Sequence, residues 1–109
     1  VLKVYAITKE YPPDERFGLI SDMRRASNSI TQNIAEGFGR EGSKDKSNFY
    51  KIARGGAYEI ISQTLVSSAL GFCKSDDKEN IVVACRSIIE ELNYIIKYLK
   101  EKSNRIPQP

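Results

Sequence analysis

Residues 76–102 read DDKENIVVACRSIIEELNYIIKYLKEK. Within that stretch Ile81, Cys85, Ile88, Leu92, Ile95 and Leu99 recur at intervals of four, three, four, three and four. That spacing keeps them on one side of an α-helix. Val82, Ile89 and Ile96 add a second row, seven residues apart, beside the first. Together the rows form a wide apolar stripe of the kind a bundle helix needs. Asp76, with Glu79 three residues later, reads as a capping box, and the closing lysines complement the helix dipole. The pattern predicts a helix over about 76–102 that ends before Pro107, with a loose tail over 103–109.

Upstream, the same periodicity recurs twice. Leu19, Met23, Ala26, Ile30, Ile34 and Gly37 share one face, with Ile20, Ser27 and Phe38 at its edge. Arg25, Ser29, Gln32, Glu36 and Arg40 line the opposite face, with Asn33 at the boundary. This predicts a helix over about 19–39, on which Glu36 and Arg40 form an i,i+4 pair in the favoured order. A third helix is expected over about 43–70, with Ser43 as N-cap and Gly71 as terminator. One of its faces carries Phe49, Ala53, Gly56, Ile60 and Thr64. Tyr58, Ile61 and Leu65 point the other way, with Lys51 and Arg54.

A monomeric bundle has no use for that second apolar row, whereas an oligomer would bury it. Tyr58, Ile61 and Leu65 are therefore the expected oligomer interface. Gly55 and Gly56 each cost about 1 kcal/mol of helix propensity, which makes sense if another backbone approaches closely there. The first helix, about 1–11, has helical spacing at Val1, Val4, Tyr5 and Thr8 and ends at Pro12-Pro13. It is much shorter than its partners, although an up-down bundle joined by short connections matches its helix lengths. The sequence is expected to begin inside helix one. No strand-like alternation occurs. The fold class that follows is all-α: one domain over 1–109, an antiparallel up-down-up-down four-helix bundle with its first helix truncated.

The 109 residues, 40% hydrophobic and 28% charged, suit one soluble domain with a single core. No apolar run approaches the roughly 18 residues that a membrane span requires, so a cytoplasmic protein without a membrane partner is expected. Histidine is absent, which removes the commonest general base and metal ligand. Cys73 and Cys85 alone cannot make a usual zinc site, and read best as free thiols with Cys85 in the core. No catalytic residue, metal or cofactor is expected.

The net charge of +3 is modest, but its distribution is uneven. Residues 40–54 hold Arg40, Lys44, Lys46, Lys51 and Arg54 against two carboxylates. Residues 97–105 hold Lys97, Lys100, Lys102 and Arg105 against Glu101 alone. Each segment is therefore locally basic while the remainder is acidic.

The first basic segment opens with a G-x-G-x-x-G match, Gly37-Phe38-Gly39-Arg40-Glu41-Gly42. A dinucleotide fingerprint needs a strand before it and a helix after it, and here a long amphipathic helix precedes it. A P-loop fails as well, because Ser43-Lys44 stands where Lys-Ser/Thr is required. The glycines read as a helix end and turn. The charge near them still matters: the first amides of helix three, with Arg40, Lys44 and Lys46, could hold an anion, and Lys51 and Arg54 extend the positive surface. A solvated helix end is the competing reading. Arg24 is a further phosphate-contact candidate, whereas Arg25, Ser29, Asn33, Glu36 and Glu59 are expected to form a structural polar network. As an acid/base pair, Glu36 and Glu59 would need a pocket, and no catalytic motif accompanies them.

Residues 24–40, RRASNSITQNIAEGFGR, resemble the 23S rRNA intervening-sequence protein family of small bacterial bundle proteins. The family's pattern, close to R-R-A-x-x-S-I-x-x-N-I-A-E-G-x-x-R, is matched by Arg24, Arg25, Ala26, Ser29, Ile30, Asn33, Ile34, Ala35, Glu36, Gly37 and Arg40. Upstream, ITKEYPPDERFGL is similar to its helix-one end and proline turn. Downstream, Phe49, Ala53, Gly55, Glu59 and Leu65 are similar to its helix-three pattern. Thr31 stands where many members have proline. The resemblance implies an antiparallel four-helix bundle assembled as a homopentamer, with no enzymatic activity. Its relatives include proteins encoded within insertions in 23S rRNA genes. They also include the accessory variability protein of diversity-generating retroelements, thought to bind nucleic acid and a reverse transcriptase.

The expected function is a non-enzymatic oligomer that binds RNA or DNA through phosphates, using Arg24, Arg40, Lys44, Lys46, Lys51 and Arg54. The alternative is an adaptor that binds another protein, such as a reverse transcriptase, without touching nucleic acid.

Overall fold

In a computed structural model that describes residues 1–105, the heptad rows of 76–102 lie along one helix, α4 (Ser75–Arg105). Ile81, Cys85, Ile89, Leu92 and Leu99 are buried, while Ile88 and Ile96 are half-buried. Asp76 falls inside the first helical turn, where it and Asp77 favour the positive end of the dipole. The capping-box reading is therefore corrected. The helix also continues through 103–105, part of the expected loose tail. The rest of that tail, 106–109, lies outside the described residues.

Three further helices precede α4: α1 (Leu2–Thr8), α2 (Ser21–Gly39) and α3 (Ser43–Ala69). Four helices, with no strand among the described residues, fit the expected four-helix bundle. A 3-10 turn (Pro13–Glu15) and a short π-helical turn (Arg16–Ile20) lead into α2, with a kink at Gly18. The Glu15 carboxylate accepts the Leu19 amide there, so Leu19 belongs to the lead-in rather than to the regular helix. Helix α1 is also shorter than the expected 1–11. Its chain turns after Thr8 and buries Tyr11 against Phe72, with ring centroids 5.7 Å apart.

Along α2 the predicted core holds at Met23, Ala26, Ile30 and Gly37, which are buried. The N-cap of α3 is Gly42, and Ser43 is the first helical residue, which corrects the expected Ser43 cap. At the other end Gly71 adopts φ 81°, a left-handed conformation that glycine tolerates. The Phe72 amide reaches the Ser67 carbonyl and the Gly71 amide reaches that of Ser68, a Schellman closure.

Helix α3 packs along both α2 and α4. Its contact with α2 is close because two positions lack a side chain. A Cβ on Gly56 would lie 3.2 Å from the Ala26 carbonyl oxygen, and one on Gly37 would lie 2.6 Å from the Tyr50 ring. Gly55, next to Gly56, faces open space. Helix α1 lies at one end of the groove between α2 and α4, where Val4 joins the core cluster of Ile30, Ile81 and Cys85. Its seven residues reach about 10 Å, against about 28 Å for the nineteen of α2. Beyond α1 the groove stays open, about 490 Å³, with Ile34, Phe38, Tyr50, Leu92 and Ile95 in its walls. This explains why Ile95, a seam residue by spacing, is 37% exposed and Phe38 is 80% exposed. Among the described residues no helix is long and apolar enough to cross a membrane.

Candidate nucleic-acid interface

Of the six cations read from sequence as phosphate contacts, four hold parts of the protein together. Arg24, half-buried on α2, donates from Nε to the Thr8 hydroxyl at 3.0 Å and lies 4.6 Å from the Tyr5 ring centroid. It therefore fastens α1 to α2. It also sits sixteen residues from Arg40, roughly 24 Å along a helix, so it does not share a surface with the loop cations. Arg40 donates to the Glu36 carboxylate at 3.2 Å and stacks over Phe49 at 4.7 Å. Lys46 donates to the Gly37 and Phe38 carbonyls at 3.2 and 2.9 Å. Those carbonyls end α2, so Lys46 is its C-terminal cap. Arg54 donates to Asn93 Oδ1 at 2.8 Å and ties α3 to α4.

The remaining two, Lys44 and Lys51, are exposed and carry no ion pair among the described residues. They flank a cleft of about 360 Å³ between the first turns of α3 and the last turns of α4. Lys100 enters the same cleft from α4. Ser43, Ser47, Asn48, Ser103 and Asn104 add further polar lining, and Ile96 and Leu99 also line it. Among the described residues, none of the lining is a carboxylate. Glu101 lies instead in a separate depression with Lys97, Tyr94 and Tyr98. Gly42, as N-cap, offers no side chain to the first amides of α3.

Lys100 was not among the predicted contacts. The signal for it was the second basic segment, which the α3–α4 packing brings beside the first.

The predicted polar network resolves into three separate pairs. Arg25 and Glu59 form a 3.0 Å salt bridge, Glu36 pairs with Arg40, and the Asn33 side chain donates to the Ser29 carbonyl and hydroxyl. The Glu59 and Glu36 side chains are 49% and 56% exposed, so they are surface carboxylates and share no enclosed pocket. Such pairs contribute at most about 1 kcal/mol. In the expected interface row, Tyr58 and Leu65 are more than half or half exposed, while Ile61 is half-buried against the core.

Both cysteines are free and buried. Burial pushes the thiols of Cys73 and Cys85 and the Tyr11 phenol up from their ordinary values. Among the described residues no cluster of three or more His, Cys, Asp or Glu could hold a metal ion.

Residues 1–94 match the family described as 23S rRNA-intervening sequence protein. The matched region ends inside α4, before Lys97 and Lys100. A comparison with curated proteins gave no match.

Proposed function

The chain belongs to the 23S rRNA-intervening sequence protein family, and from that premise we propose a non-enzymatic oligomer that binds RNA or DNA through phosphate contacts. One observation carries this reading. Two locally basic segments, far apart in sequence, meet at one cleft where Lys44, Lys51 and Lys100 are open to solvent and no described lining residue is a carboxylate. Phosphate contacts supply most of the sequence-independent affinity for nucleic acid.

The helices are read as an antiparallel up-down-up-down bundle, and the protein as a homopentamer that buries the Tyr58 and Leu65 face of α3. Fivefold repetition would turn a net charge of +3 per chain into a strong ring-shaped field. Light scattering of the purified protein, with and without a short RNA and across a salt series, tests this reading. The expected result is a pentamer mass that rises on adding RNA at low salt and falls back at high salt. A stable monomer would remove the oligomer, and an unchanged mass at low salt would remove the nucleic acid.

The open groove between α2 and α4 favours a second reading, an adaptor that binds another protein. Its walls include Phe38 and Ile95, apolar side chains otherwise left to water. Binding of a protein partner that nucleic acid fails to displace, with no nucleic-acid binding by the intact oligomer, would favour this reading.

A further inference from the structure

The geometry points to a more specific ligand for the α3–α4 cleft: we infer that it takes one phosphate of a single-stranded nucleic-acid chain, held by Lys44, Lys51 and Lys100. The inference rests on the phosphate-binding reading above and goes beyond it in naming the site, the third lysine and the strandedness.

Three features carry it. The lysines come from two walls, Lys44 and Lys51 from α3 and Lys100 from α4, so an anion between them meets positive charge from both sides. Among the described residues no carboxylate lines the cleft, and Glu101 lines a separate depression with Lys97. Ser47, Asn48 and Asn104 add hydroxyl and amide donors, so phosphate oxygens that the ammonium groups do not reach can also be satisfied. By contrast, Arg24, Arg40, Lys46 and Arg54 each have a donor group already held by a protein partner.

The shape then selects the strand. A cleft of about 360 Å³ is at the lower end of ligand-site volumes, with room for little more than one phosphate and its sugar. A duplex presents its phosphates on a rigid convex surface and cannot insert one between two helices. A single strand rotates freely about its backbone and can turn one phosphate inward. Among the described residues no aromatic side chain lines the cleft, so base stacking adds nothing and sequence preference is low.

The test uses the full chain and fluorescence anisotropy with a labelled ten-nucleotide single-stranded RNA, the matching duplex, and inorganic phosphate as competitor. Variants are Lys51→Gln, Lys100→Gln and the remote control Lys9→Gln, each checked for helical content and oligomer mass. Expected is tighter binding of the single strand than of the duplex. Lys51→Gln and Lys100→Gln should each weaken it about tenfold, as expected for removing one charge-assisted hydrogen bond, and Lys9→Gln less than twofold. Millimolar inorganic phosphate should compete in the wild type. Binding that persists unchanged in Lys51→Gln and Lys100→Gln would overturn the cleft while leaving phosphate binding elsewhere intact. A preference for the duplex would overturn the strandedness. No binding of any nucleic acid at low salt would overturn the broader reading and this one with it.

Discussion

The two ends of α2 use positive charge in opposite ways. At its first turns Arg24 is drawn inward, with Nε on the Thr8 hydroxyl and its guanidinium against Tyr5. Past its last turn, where α3 begins, Lys44, Lys51 and Lys100 stand around a cleft between α3 and α4 that no described carboxylate lines. The first arrangement contributes to folding. The second makes no such hydrogen bond or ion pair among the described residues. Equal formal charges thus sit in different surroundings, a protein partner at one end and solvent at the other.

Neutralising the open end should give the largest effect. Lys44→Gln, Lys51→Gln and Lys100→Gln combined should weaken RNA binding at least about a hundredfold at low salt, since each charge-assisted hydrogen bond contributes about 1.5 kcal/mol or more. Chemical denaturation should show a stability change within about 0.5 kcal/mol, as for ordinary surface substitutions. A large drop in stability would erase the distinction between the two ends.

The frame between those ends comes next. Gly37→Ala should destabilise by about 1–3 kcal/mol, because its Cβ would press on Tyr50. Gly55→Ala, facing open space, should stabilise an isolated chain by up to about 1 kcal/mol. If Gly55→Ala instead lowers the oligomer mass, another chain packs on that face.

At the closed end, Arg24→Ala should cost about 1–2 kcal/mol, because it removes both the hydrogen bond to Thr8 and the cation–π stacking on Tyr5. RNA affinity should stay within about twofold. Lys46→Ala should follow at about 0.5–1 kcal/mol, through the unsatisfied end of α2. If either variant weakens RNA binding as strongly as Lys51→Gln, the two ends do not divide their roles in this way.

The smallest effect concerns pH. Cys73, Cys85 and Tyr11 are each raised by burial, so the unfolded chain releases their protons before the folded one does. The stability they contribute is complete below the ordinary thiol value of 9.0 and declines as pH rises through the folded values. Denaturation midpoints should therefore fall above about pH 9 and fall less in Cys85→Ala.

The apolar periodicity made the helices legible, since spacing alone assigns Met23, Ala26, Ile60, Ile81 and Leu92 to buried faces. Helix ends were less so. Asp76 looked like a cap, but α4 already starts at Ser75, so Asp76 lies within its first turn. Ile95 followed the heptad yet stays partly exposed because α1 ends short of it. Of the site, composition located a basic region but could not divide it. Whether a lysine caps two carbonyls, as Lys46 does, or faces water depends on distances across a turn that no spacing rule contains. Lys100 joined the site only through the packing of α4 on α3.

The central claim is that open lysines bind phosphates, and salt dependence tests it most directly. The affinity for a short single-stranded RNA should be measured from low to physiological salt, for the wild type and for the Lys51→Gln/Lys100→Gln double variant. The account predicts a steep linear fall of log affinity with log salt, and a slope shallower in the variant by roughly 0.7 for each phosphate it no longer neutralises. Binding that ignores salt, or a slope identical in the two proteins, would contradict it.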